Sequence, residues 1–157
     1  MMNASVKSGL SFGLTSGIIT TIGLIIGLGI GTNSKTVVIA GILTIAFVDA
    51  LSDAFGIHME KESEHKNSKD IWRASIATLV SKIILALTFL VPVWFLDLNN
   101  ALIASIIWSG VLLIVLSYII AKSNKEKILK VVGEHLGIAL IVIVLTYFIG
   151  EIISLIL

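Results

Sequence analysis

Residues 36–60 read TVVIAGILTIAFVDALSDAFGIHME. The first eleven are almost pure hydrocarbon, and then two aspartates, Asp49 and Asp53, appear four residues apart. At about 1.5 Å per helical residue, this stretch is long enough to cross a hydrocarbon core of roughly 30 Å. Backbone groups in lipid must be paired within the segment, so the stretch reads as a helix rather than a strand. It therefore predicts a membrane-spanning helix that carries two acids inside the membrane.

Four further apolar segments repeat this pattern. The five predicted spans are residues 7–31, 36–60, 72–96, 100–121 and 129–156. They are separated by GTNSKT, KESEHKNSK, DLNN and AKSNKEK, which carry the polar and turn-forming residues expected at breaks. Composition agrees: 57% of the 157 residues are hydrophobic and 13% charged, against about a quarter charged in soluble domains. The fold class is an all-α membrane protein with five transmembrane helices, residues 1–157 forming a single transmembrane domain. The first apolar run is too long for a signal-peptide core, so it is expected to be a span. The net charge of +1 calls for no nucleic acid, and the lack of cysteine excludes disulfides and thiolate metal sites. No nucleophile–base arrangement, phosphate loop or HExxH pattern is present, so the chain is not expected to be an enzyme, nor to hold a resident cofactor.

Orientation follows from Lys and Arg. Lys7, Lys61, Lys66, Lys69, Arg73, Lys122, Lys125, Lys127 and Lys130 fall on one side of the spans, and Lys35 on the other. The basic side, including the N-terminus, is expected in the cytoplasm and the C-terminus outside. The host is the cell membrane in a prokaryote and an organelle membrane in a eukaryote. Trp72 and Trp94 sit where interface anchors belong, Trp108 deeper, where packing is expected.

The remaining polar groups have a depth. Counting at about 1.5 Å per residue from Glu60, Asp53 lies roughly 10 Å inside and Asp49 roughly 16 Å. On the third span Lys82 lies roughly 15 Å deep, and Ser16 on the first span is level with it. Asp49, Asp53, Gly56 and Glu60 form one helical stripe, with Ser52 beside it. Such a stripe suits one wall of a polar path. Carboxylates suit divalent cations, and two close acids couple cation binding to protons. Asp49, Asp53, Lys82, Glu60 and Ser16 are the candidate ion and proton site. Glu62, Glu64, His58, His65 and Met59 are candidate entrance groups, the His and Met as softer ligands. Glu134, His135 and Ser52 form a second tier. Two roles are open to Lys82: a structural pair pinning the third helix to the second, or a counter-charge that changes partners during transport. Gly9, Gly13 and Gly17 make a GxxxGxxxG pattern that permits close helix approach, either inside the bundle or across a dimer axis. Gly23, Gly27 and Gly31 repeat the spacing, and Pro92 is expected to kink the third span.

Several stretches together resemble the vacuolar iron transporter family. SFGLTSGIITTIGLIIGLG looks like its first helix and VIAGILTIAFVDALSDAFGIHM its second. ASIATLVSKIILALTFLVPV resembles the third and GIALIVIVLTYFIGEII the fifth. The resemblance implies a homodimer in the lipid bilayer that exports Fe²⁺, and often Mn²⁺, from the cytoplasm in exchange for protons. Its ion path would run between the subunits along the first helices. Where the family commonly has Asp-Gly in helix one, this chain has Ser16-Gly17. The acid that follows the helix-two glycine is replaced by Ile57-His58. Asp49, Asp53 and Lys82 stand where the family does not usually have charges. The long cytoplasmic metal-binding insert found in many members is reduced to a short loop.

Three functions compete. The first is proton-coupled export of a divalent metal through Asp49 and Asp53. The second is transport of protons or a non-metal cation by the Asp–Lys set. The third is a non-transport scaffold subunit in which that set is structural.

Overall fold

The computed structural model describes residues 3–156 and is helical almost throughout. The elements are α1 (Ala4–Thr32), α2 (Lys35–Ser63), α3 (Ser68–Thr88), α4 (Leu90–Phe95), α5 (Leu98–Asn124) and α6 (Ile128–Ser154). Counting α3 and α4 together, five helices among the described residues are long and apolar enough to cross a membrane.

The breaks have local causes. Asn33 closes α1 in the left-handed conformation at φ 45°, its N–H donating to the Gly29 carbonyl, and the Ser34 side chain caps α2 by accepting from the Val37 N–H. Asn67 caps α3 and Asp97 caps α5 in the same way. Pro92 has no N–H to give the Thr88 carbonyl, and the third span breaks at Phe89, between α3 and α4. The expected kink is therefore an interruption.

The helices are longer than the predicted spans at the basic end. α2 runs on to Ser63, α3 starts at Ser68, and α5 extends to Asn124. The supposed loop KESEHKNSK is thus mostly helix. Hydropathy marks where the hydrocarbon stops, whereas a helix continues into water when charged neighbours support it. Here Lys61 bridges Glu60 and Glu64, each at 3.3 Å.

α1 occupies the centre and touches α2, α3, α5 and α6. Its glycines make this possible. Gly9, Gly13 and Gly17 lie against α3: a Cβ on Gly9 would collide with the Ala74 carbonyl, and one on Gly13 would sit 2.6 Å from the Thr78 carbonyl oxygen. The Thr78 hydroxyl donates to the Gly9 carbonyl at 3.0 Å, which fastens the contact. Gly23, Gly27 and Gly31 face α6. The first glycine stripe is therefore consumed inside one chain and is not available as a dimer face.

The start of α1, the α2–α3 turn and the α5–α6 turn lie at one end. There Asn3 Nδ2 donates to Asp70 Oδ1 at 3.0 Å, and Lys7 Nζ donates to Ser123 Oγ. At the other end Lys35 Nζ donates to the carbonyls of Trp94 and Leu96 at 2.8 and 2.9 Å, closing the C-terminus of α4. The single Lys on the sparsely charged side thus has a structural task. Trp108, expected to pack, is instead 39% exposed, although its Nε1 donates to Thr88 Oγ1 at 3.0 Å beside the α3–α4 break.

Candidate functional site

One helical turn of α2 carries Asp49 and Asp53, and both meet Lys82 of α3. Lys82 is 1% exposed and is among the largest side chains that are fully buried. Its Nζ contacts Asp53 Oδ2 and stands 2.5 Å from Asp49 Oδ2. It also donates to Ser16 Oγ of α1 at 2.9 Å, and that hydroxyl donates to Asp53 Oδ2 at 2.6 Å. Three helices therefore converge on one ammonium. Gly17, next to Ser16, leaves room for it: a Cβ there would lie 3.3 Å from Lys82 Cγ.

The two acids are not equivalent. Asp53 shares the hydroxyl and the ammonium through aligned hydrogen bonds. Asp49 Oδ2 is near enough to Nζ for an ion pair, yet it is shielded from solvent and has no aligned hydrogen bond. Asp49 is also the more exposed, at 30% of its side chain against 19% for Asp53. It opens onto a groove between α1 and α2 lined by Leu24, Gly41, Thr44, Ile45, Val48 and Ser52. The set carries two negative charges and one positive. Removing one sign from a fully buried pair costs on the order of 3–5 kcal/mol, and the partial exposure of the two acids lowers that cost here.

Ser16, Asp49, Asp53 and Lys82 are thus brought together, with Ser52 in the adjoining groove. The other candidates go elsewhere. His58 points away from the acids, because five residues past Asp53 is well round the helix. It faces an apolar cavity of about 300 Å³ between α2 and α3, its Nδ1 3.3 Å from Ser75 Oγ and its ring 4.9 Å from Trp72, edge to face. Glu60 and Glu64 hold Lys61 at the basic end. Glu62, His65 and Met59 are exposed there without converging on the acids. Glu134 makes a loose surface pair with Lys130 at 3.9 Å. His135 Nδ1 lies 2.7 Å from Ser117 Oγ, joining α6 to α5. Among the described residues, no three His, Asp or Glu side chains are grouped to hold a metal ion. The entrance groups and the second-tier acid are therefore separate features that do not join the Asp–Lys set.

Gly41 and Thr44 are two of the five groove residues that the sequence reading does not single out. Their signal was present: Gly41, Thr44, Val48 and Ser52 follow the three- and four-residue spacing of the Asp49 face. Thr44 donates to its own Ala40 carbonyl at 2.9 Å, and Thr15 and Thr20 make similar backbone bonds on α1. Ser16 is the α1 hydroxyl that reaches the acids.

No curated protein matches the chain. A family model does: that of the VIT family matches residues 46–151, more than half the sequence. The matched stretch contains Asp49, Asp53 and Lys82 and begins inside α2. The chain belongs to the VIT family, whose members are membrane transporters.

Proposed function

We propose that the protein exports a divalent metal cation of the Fe²⁺ or Mn²⁺ type from the cytoplasm in exchange for protons, with Asp49 and Asp53 as the ion and proton site. The observation that carries this reading is the Asp49–Lys82–Asp53 set, its ammonium buried and its acids half-buried, beside an open groove, on a chain of a transporter family. Ionised groups at this depth are costly to keep and are a default marker of function. Asp49, the acid that lines the groove, is the first contact for an incoming ion.

The basic end faces the cytoplasm in this reading, and the working unit is a homodimer in the bilayer. The groove beside Asp49 opens sideways at membrane depth, where lipid would otherwise meet a partly exposed carboxylate. A second copy over α1 and α2 keeps that charge out of hydrocarbon.

A second reading, transport of protons or a monovalent cation, is favoured by one observation: the acids already hold an ammonium, and the described residues supply no three-ligand cluster. Proteoliposomes with an internal pH dye separate the two. An inward Mn²⁺ gradient moves protons outward under the first reading. Proton movement driven by Na⁺ or K⁺ jumps, with none driven by Mn²⁺, establishes the second.

A further inference from the structure

We infer that Lys82 is a tethered cation that competes with the transported ion for the Asp49–Asp53 pair. The inference rests on the transport reading and specifies how the site is filled.

The argument is one of geometry and charge. The ammonium reaches the acids from the closed α3 side, where Lys82 is 1% exposed. An ion arrives from the opposite side, through the groove that Asp49 lines. Both converge on the same carboxylates: the ammonium holds the solvent-shielded Oδ2 of Asp49, and the groove gives access to the rest of that carboxylate. Nζ lies against Oδ2 of each aspartate, and among the described residues no other basic group pairs with either acid. With Lys82 in place the set has one uncompensated negative charge. A divalent cation needs several oxygens at about 2.0–2.6 Å, and the oxygens facing inward are already held by the ammonium. Two cations on the same pair of carboxylates repel strongly at this depth. The ion therefore binds only by pushing Nζ off, and Nζ returns when the ion leaves.

The competitor has somewhere to move and a reason to return. Its unbranched stem packs closely against Gly17, and the rotatable bonds beyond Cγ let the ammonium swing while the stem stays in place. Ser16 Oγ stays within its reach as an alternative partner at 2.9 Å. On the return leg of a transport cycle, two unneutralised acids one turn apart would repel each other in a poorly solvated site. The ammonium prevents that state. Lys82 thus acts on affinity and on release in opposite directions, whereas a purely structural pin would influence neither.

The test uses the purified full-length protein, with Mn²⁺ as the probe. Binding is read from the loss of the free Mn²⁺ electron paramagnetic resonance signal, and flux is read in proteoliposomes. Lys82→Met removes the competitor: the Mn²⁺ Kd is expected to fall by at least about tenfold, with maximal flux falling too because the ion is no longer displaced. Lys82→Arg keeps the charge and grips both carboxylates with a two-pronged guanidinium, so Mn²⁺ is expected to bind more weakly than in the wild type. Wild-type flux with an unchanged or weaker Kd in a folded Lys82→Met protein overturns the inference and leaves the transport reading standing. If Lys82→Met does not assemble, the arginine variant decides, and binding as tight as wild type or tighter overturns it. Mn²⁺ binding by neither wild type nor Lys82→Met overturns both together.

Discussion

At the scale of the residue, the site is defined by what Lys82 touches. Depth along the helices, counted from the sequence, already placed Lys82 level with the two aspartates and Ser16. The structure shows Lys82 engaging both acids, with Ser16 joining in. Angle was less legible than depth. His58 is within two turns of Asp53 along the chain, yet it faces Trp72 and Ser75 across a different groove. Sequence neighbours on a helix share a site only when they share a face, and His58 does not. His58→Ala is therefore expected to leave Mn²⁺-driven proton flux within about twofold of wild type in proteoliposomes, a modest margin for a residue outside the coupled set. A tenfold loss would place the histidine on the ion path.

At the scale of the element, the glycines of α1 decide how the helices meet. Spacing alone identified a close-packing stripe but not its partner, because GxxxG suits a neighbouring helix and a second subunit equally. Contact with α3 resolves this. Gly13→Val is expected to lower the melting temperature measured by tryptophan fluorescence, since even a Cβ would sit 2.6 Å from the Thr78 carbonyl oxygen. Gly56 belongs to the same residue type on α2, but nothing lies within 4 Å of a Cβ there. Gly56→Ala is expected to be neutral or to stabilise by about 0.5–1 kcal/mol through the lost flexibility of glycine. Equal destabilisation by both would refute the assigned α1–α3 contact. The α4–α5 turn has its own pH dependence. The Asn100 side chain, then the Asn100 backbone N–H and the charge of Lys35, hold the Asp97 carboxyl below the ordinary aspartate range. A depressed carboxylate contributes stability above its unfolded-state pKa and loses it as pH falls through the folded one. The cap is thus intact at neutral pH and lost only in acid below the usual aspartate range.

At the scale of the whole molecule, hydropathy and charge made the architecture legible: five spans and a basic end follow from apolar runs and from Lys and Arg placement. The ends of the helices were not legible, because α2, α3 and α5 continue into polar sequence that hydropathy reads as loop. The absence of native cysteine allows a clean test of orientation. Lys66→Cys and Lys125→Cys are expected to react with a membrane-impermeant maleimide only from the cytoplasmic face, and Leu98→Cys only from the other. The reverse pattern would turn the proposed export direction around. The central claim is that Asp49 receives the transported ion, and Mn²⁺-driven proton flux in proteoliposomes containing Asp49→Asn tests it most directly. The substitution removes one carboxylate while Asp53 still balances Lys82. The account predicts loss of flux in a protein that still assembles, and flux equal to wild type would contradict it.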